Sequence, residues 1–482
     1  MRFLAKLAYG RVLCVAMTVF AMASGAVAQN ERLFLFRNDN ALNELKIKDI
    51  SGIDYRSDSE GRFTDLTVTT ADGTKLQLPM LSLDSAVVRQ TAIPDIYVRL
   101  TDYPEIPDLF KGEGFSKSTV YDATLRIDGN GMFNDLPEQK VEFRGRGNST
   151  WLYPKTPYRF KMAKKASACG LPKAKSFALI ANYIDPSLMR NTVALSVALE
   201  MGMAFSNHSV PCNVYLNGHY RGCYMLTEKI GIGGGSVDIE EDTGMLFELD
   251  ANYDEDYRFI YASGEDFTLP VMVKDPDLEE IKPDKADREA YFSLWKDDFA
   301  KMVDALLEPA GKRLSDYVDL PSAARFVLVN SVAFNRELLH PKSVFIYKES
   351  LDANARYFFG PVWDFDWGFG YNETSEPGNV ERVIFSGDAS YSGGTFFGLL
   401  ASDSEFREVY EREWKRFYDE VYPRILALID SYSYAIEPSA KRDGLLWNKG
   451  SYETRESVAA LRNIFIKRVE YCNTHPNFGL YK

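Results

Sequence analysis

Short runs of alternating apolar and polar residues fill the first part of the chain, at Leu33 to Phe36, Phe63 to Thr70 and Lys75 to Leu83. A period of two predicts strands, and Ala71-Asp72-Gly73 supplies a turn between the last two. This predicts a small β-rich module over 29–93, ending at Ala92-Ile93-Pro94-Asp95 before a new strand from Ile96 to Leu100. Further strands are predicted over Val120 to Ile127, Lys140 to Arg144, Tyr158 to Met162 and Phe177 to Ile180. Pro186 to Gly202 then carries a helical pattern that ends at its glycine. Asn217-Gly218 turns a hairpin between Asn213 to Leu216 and Tyr220 to Leu226, and Met245 to Leu249 follows as a strand. From Asp284 the period becomes helical: Arg288 to Leu307, Ala323 to Leu339, Phe406 to Tyr418, Tyr422 to Tyr434 and Thr454 to Thr474. Strands first and helices later predict an α+β fold, with a strand-rich lobe over about 94–280, a helical lobe over about 281–475 and a site between them.

The very first residues follow a different pattern. Arg2, Lys6 and Arg11 precede an apolar stretch from Val12 to Ala23, and Ala26-Val27-Ala28 offers small residues before Gln29. That is the form of a secretory signal peptide cleaved near Ala28, and the apolar run is far shorter than the ~20 residues that span a bilayer. No later segment is long and apolar enough to do so, so the expectation is a secreted or cell-envelope protein with no transmembrane segment after cleavage.

Composition narrows the function classes. The 482 residues are 45% hydrophobic and 26% charged, which excludes a disordered chain, and the net charge of −13 argues against nucleic acid as a partner. Losing a basic leader makes the mature protein more acidic still. Beyond Cys14, the cysteines are Cys169, Cys212, Cys223 and Cys472, without metal-ligand spacing. With a two-residue turn, Cys212 and Cys223 face each other across the hairpin, compatible with a disulfide and equally with buried free thiols.

Four histidines in no metal spacing make a histidine-dependent hydrolase a poor candidate. Against the acidic background, Arg144-Gly145-Arg146-Gly147-Asn148 stands out, followed by Lys155, Arg159 and Lys161. Glycines let a backbone approach an anion, and arginine and lysine give charge-assisted bonds to phosphate oxygens. The segment is therefore either an anion site or a surface hairpin paired with carboxylates. In Gly360-Pro361-Val362-Trp363-Asp364-Phe365-Asp366-Trp367-Gly368, two carboxylates sit in an apolar, aromatic casing. If the stretch is extended, both face one side and suit Mg²⁺ or Mn²⁺; otherwise they cap turns or pair with arginines. Glu337, at the end of the helix over Ala323 to Leu339, is placed as a base or as an exposed helix-end residue. The cluster Glu248, Asp250, Asp254, Glu255 and Asp256 reads as a cation site or, as the default, a solvated acidic loop.

Four ordered blocks carry a resemblance: Phe143 to Met162, Ala178 to Ala194, Val214 to Ile230 and Gly360 to Gly370. Together they resemble the CotH family, over roughly 95–470. The resemblance implies an atypical protein-kinase-like, two-lobed fold holding ATP and Mg or Mn, and a phosphotransferase acting on a hydroxyl, usually serine, of an extracytoplasmic protein acceptor. It further implies Asp364 as metal-binding and catalytic aspartate with Asp366 beside it, Lys161 as the phosphate lysine, and Arg144, Arg146 and Asn148 in the phosphate turn. Arg190, Asn191 and Glu228 would order that lobe around the cofactor. One departure is plain. Where active members are expected to carry an aspartate followed by an asparagine, this chain has Glu337 and then Lys342-Ser343. ATP is scarce outside the cytoplasm, so a second reading stays open: an inactive adhesion or assembly protein with a cell-surface partner on the same fold.

Overall fold

The computed structural model describes residues 31–37, 42–89, 93–102, 117–264, 267–308, 311–371, 379–385, 392–447 and 454–481. The leader expected over 1–28 lies outside them. Among the described residues, no helix is long and apolar enough to cross a membrane. Helices and sheets are both present, as the α+β expectation requires.

Two three-stranded sheets come first. One is built from β1 (Arg32–Arg37), β2 (Leu42–Lys46) and β6 (Leu83–Arg89), the other from β3 (Ile50–Ser57), β4 (Phe63–Thr70) and β5 (Lys75–Pro79). Leu33, Leu35, Leu66, Val68 and Leu78 form a small core between them. Arg32 pairs with Glu44 inside this unit and with Asp95 on the next strand, and Lys46 pairs with Asp128 at 3.0 Å, so ion pairs join the unit to the rest of the chain.

The next seven strands close into a barrel: β7 (Asp95–Leu100), β8 (Tyr121–Asp128), β9 (Leu136–Gly145), β10 (Tyr158–Ala166), β11 (Ala174–Ile180), β12 (Val210–Leu216) and β13 (His219–Glu228). Alternation puts Leu125, Phe143, Phe160, Phe177, Val214 and Leu226 inside it. The other faces of β11 and β13 are not solvated. Ala178, Ile180, Cys223 and Met225 pack with helix α1 (Arg190–Glu200) into a second, larger core. That core continues through β14 (Met245–Leu249), β15 (Arg258–Ser263), β16 (Phe267–Asp275), β17 (Val344–Lys348) and β18 (Phe358–Phe359), which form one sheet. Helices α2 (Lys285–Leu307), α3 (Leu320–Val332), α4 (Ser392–Ser402), α5 (Ser404–Arg416), α6 (Tyr422–Leu446) and α7 (Thr454–Thr474) complete it.

Cys212 and Cys223, expected to face each other across the β12–β13 hairpin, do not, and of the two readings left open it is the buried free thiols that the structure has. Leu216 does face His219, but a bulge between Val214 and Tyr215 shifts the register, so that Cys223 faces Asn213 and Cys212 faces Tyr224. A one-residue slip sends a side chain to the opposite face of its strand. Cys212 accordingly sits in the barrel core and Cys223 in the core shared with α1. All four cysteines of the described chain are buried and free. Alkylation of unreduced, denatured protein should therefore modify each of them, as mass spectrometry of the peptides will register; a protected Cys212–Cys223 pair would contradict this register.

The same bulge places Gly222 against α6. With φ of +117°, Gly222 holds a backbone disfavoured for other residues, and a Cβ there would lie 2.1 Å from Asp443 Oδ1. That carboxylate accepts a hydrogen bond from the Cys223 amide at 2.9 Å and pairs with Lys155 Nζ at 2.6 Å. Lys155 is fully buried and also donates to the Cys223 carbonyl at 2.6 Å. Its place in the basic cluster of the sequence is thus structural: paired with the Asp443 carboxylate, it fastens α6 to the barrel and does not line the cavity described below.

Candidate active site

A cavity of about 440 Å³ opens between the barrel and the β14–β17 sheet. Arg144, Gly145, Arg146, Gly147, Asn148 and Arg159 line its barrel side; Asp250, Glu337, Lys342, Asp364 and Asp366 line the opposite side. Local structure explains each placement. At the end of β9, Gly147 turns with φ of +90°, and the Arg146 amide bonds the Pro157 carbonyl at 3.1 Å, which folds the turn back onto β10. The Arg146 guanidinium then lies over the Trp363 ring, 5.1 Å from its centre. Asn148 is exposed at the rim and accepts a hydrogen bond from Lys117 Nζ.

Across the cavity, the two aspartates do not lie on an extended strand. Asp364 takes the left-handed conformation, φ +63°, a region aspartate tolerates better than most residues. This turn leaves Asp364 half-buried on the cavity and sends Asp366 inward, where it is 6% exposed. Helix α1 holds the second carboxylate. Asn191 Nδ2 donates to Asp366 Oδ1 at 2.6 Å while its Oδ1 accepts from the Phe365 amide at 2.9 Å, and Arg190 donates to the Asp366 carbonyl at 2.8 Å. Arg190 is thus spent on the aspartate segment and is not among the residues lining the cavity. Asp185 fixes the helix start by accepting from the Met189 and Arg190 amides.

Glu337 is not on the end of a long helix. Helix α3 stops at Val332, Phe334 turns with φ of +47°, and Asn335 starts a separate single turn, Arg336–Leu338. Asn335 Oδ1 accepts from the Glu337 amide at 3.2 Å, and its Nδ2 donates to the Asp364 carbonyl at 3.4 Å. One side chain therefore holds the glutamate and the aspartate turn together. Glu337 is 8% exposed, which excludes the exposed helix-end reading.

The carboxylates are short of positive charge. Burial, then the neighbouring Asp364, pushes Glu337 up to about 8. Burial and Asp364 push Asp366 up to about 7, against the opposing bond from Asn191. Asp364 is raised by burial, with Arg146 drawing it back down. Such upward shifts in a cleft mark a site suited to a cation.

Two expected residues are elsewhere. Lys161 is exposed and is not among the residues lining the cavity. It shares the outer face of β10 with Arg159 but lies two residues, about 6.6 Å, further along the strand. Glu228 is buried away from the cavity, accepting from the His208 amide at 2.9 Å with His208 Nδ1 at 2.6 Å. The residue after it, Lys229, is a site lysine that the sequence pattern does not single out. It lines the cavity beside Arg144 and Arg159, and the surrounding walls, with Arg159 as neighbour, lower its amine to about 8. Its only sequence signal is a lysine directly after the end of β13. The rate of Lys229 acetylation against pH, followed by peptide mapping, should have its midpoint near 8; a midpoint near 10.5 would place the amine in open solvent.

The loop read as a solvated acidic cluster is partly inside. Glu248 and Asp250 are buried and line the cavity, and Lys274 bridges Glu248 and Glu255 at 2.8 Å each.

Among the described residues, no group of three or more histidine, cysteine, aspartate or glutamate side chains is spaced to hold a metal ion by itself. Asp364 and Asp366 nonetheless fit an Mg²⁺-like ion, which commonly takes one or two protein carboxylates and completes its shell with phosphate oxygens and water.

A basic glycine turn opposed by three charge-starved carboxylates defines a cleft suited to a polyanion together with a cation. Residues 142–472 match the family model described as CotH kinase protein. The match spans more than half of the chain, which belongs to the CotH kinase family. No curated protein matches it.

Proposed function

We propose that the protein is a metal-dependent phosphotransferase of a kinase-like, two-lobed fold, moving the terminal phosphate of ATP to a hydroxyl, most simply a serine, of an extracytoplasmic protein. The observation that carries this reading is the convergence of Glu337, Asp364 and Asp366 with Arg146 on one cavity. Arg144, Arg146, Arg159 and Lys229 would neutralise the phosphates, since guanidinium and ammonium groups give the strongest bonds to phosphate oxygens. Asp364 and Asp366 would hold Mg²⁺ or Mn²⁺, which when bound spreads the charge developing on the transferred group. Glu337 is the group placed to accept the acceptor's proton. Burial and the neighbouring Asp364 push its carboxyl up, and added positive charge in the cleft draws it back toward the basic form. The leader-like first residues support an extracytoplasmic location.

Incubation with γ-labelled ATP and Mn²⁺ or Mg²⁺ tests this. Metal-dependent label on the protein or on an added acceptor, absent in Asp364→Asn, is the expected result. If both proteins are inert and neither binds nucleotide, the reading fails and the adhesion or assembly role gains.

A further inference from the structure

Arg468, on α7, is a charged side chain that the described function leaves without a task. It is fully buried and does not line the cavity, and among the described residues it makes no ion pair. A buried guanidinium without a carboxylate is costly, so what its donors reach matters. They reach two places. Nε and Nη2 donate to the carbonyl and hydroxyl of Ser331 at 2.7 and 3.0 Å, and Nη1 donates to the carbonyls of Val380 and Arg382 at 3.0 and 2.6 Å. The planar fork of arginine spans both, whereas a lysine ammonium offers its donors from a single atom.

Both ends of that fork bear on the candidate site. Ser331 lies in the last turn of α3, and its carbonyl also accepts from the Phe334 amide at 3.0 Å. Phe334 holds φ of +47°, a backbone disfavoured for an aromatic residue, and the Arg468 guanidinium lies over its ring, 4.7 Å from the centre. The Arg382 guanidinium lies over the same ring at 5.5 Å. Directly after Phe334 comes Asn335, which bonds the Glu337 amide and the Asp364 carbonyl. Directly before it, the Ala333 carbonyl accepts from the Phe369 amide, three residues beyond Asp366. Arg468 therefore grips, from outside the cavity, the turn that carries Glu337 into it, and ties that turn to Val380 and Arg382.

We propose that Arg468 is a positioning residue for Glu337, setting through Ser331 and Phe334 the turn that aims the carboxylate at the acceptor hydroxyl. The inference rests on the phosphotransferase reading and adds to it a residue that touches neither substrate nor cofactor. Arg468→Lys and Phe334→Leu in the full chain test it, with kcat referred to the folded fraction measured by circular dichroism. Each should lower kcat by about 10–10²-fold, the scale of a misplacement of about 1 Å, with KM for ATP within about twofold of the wild type because the phosphate-side groups stand on other walls. Added to Glu337→Gln, Arg468→Lys should slow transfer no further, since both changes act through one carboxylate. A residue that only fastens α7 would lower the folded fraction and leave kcat of the folded protein unchanged. That result overturns the proposal, as does a fall matched by a rise in KM for ATP, or a full further loss in the Glu337→Gln background. If Arg468→Lys does not fold, Phe334→Leu, which leaves the buried charge in place, decides by the same criteria. A folded wild type that neither transfers phosphate nor binds nucleotide overturns the phosphotransferase reading and this inference with it, a result distinct from an unchanged kcat.

Discussion

Asp364→Asn should lower phosphate transfer by about 10²–10³-fold, the scale seen when one charge-stabilising group is removed from a preorganised site, while leaving the protein as stable as before or slightly more so. Asparagine is the informative substitution. It keeps the volume and tolerates the left-handed turn at φ +63°, where alanine would add a backbone penalty of about 1–2 kcal/mol. Asp364 raises the pKa of both Glu337 and Asp366, so removing its charge relieves repulsion without breaking the fold. Parallel measurement of transfer rate and denaturant midpoint checks this. A structural aspartate would lose stability along with activity; the present account requires the two to separate.

The opposite dissociation is expected at Lys155. The ion pair with Asp443 has side-chain exposures of 0% and 5%, so solvent screening does not weaken it. Lys155→Met takes the buried ammonium away from a carboxylate that also accepts from the Cys223 amide, and should cost about 3–5 kcal/mol by chemical denaturation. Adding Asp443→Leu removes the stranded charge, and the double variant should recover most of that loss. If Lys155→Met is neutral, or the double variant is as unstable as the single one, the pair does not join α6 to the barrel. Phosphate transfer by whatever fraction stays folded should be unaffected, since Lys155 does not reach the cleft.

These two residues also mark how far the sequence could be read. The period-two runs located most barrel strands, and Met245–Leu249 and Thr454–Thr474 fall where their patterns place them. Barrel closure was not legible, because β7 pairs in parallel with β12 across more than a hundred residues, and local alternation carries no information on that partner. β15 and β16 do not stand out in the pattern, and the helical signal of α6 fades at Tyr434, short of its true end at Leu446; Pro438 lies inside that helix and interrupts the local signal. At the site, Asp364, Asp366, Glu337 and the Arg144–Asn148 turn were legible because charge or glycine stands out against an apolar casing. Lys155 and Lys161 carried the same local signal as Arg159, and only the third dimension separates them. One is buried under α6, one is exposed past the cleft, and Arg159 alone of the three lines it. Lys229 was hidden for the converse reason: nothing beside it in the chain is basic, and its basic neighbours Arg144 and Arg159 come from strands β9 and β10.

That contrast between lysines supplies the most direct test of the central claim, that this cleft receives the phosphates of ATP. An ATP derivative with an acyl phosphate at its terminal end transfers its acyl group to a lysine lying beside the bound phosphates, and peptide mapping identifies which one. The account predicts acylation of Lys229, suppressed by excess ATP with Mn²⁺. Labelling of Lys161 instead, or labelling of Lys229 that ATP does not suppress, would contradict it.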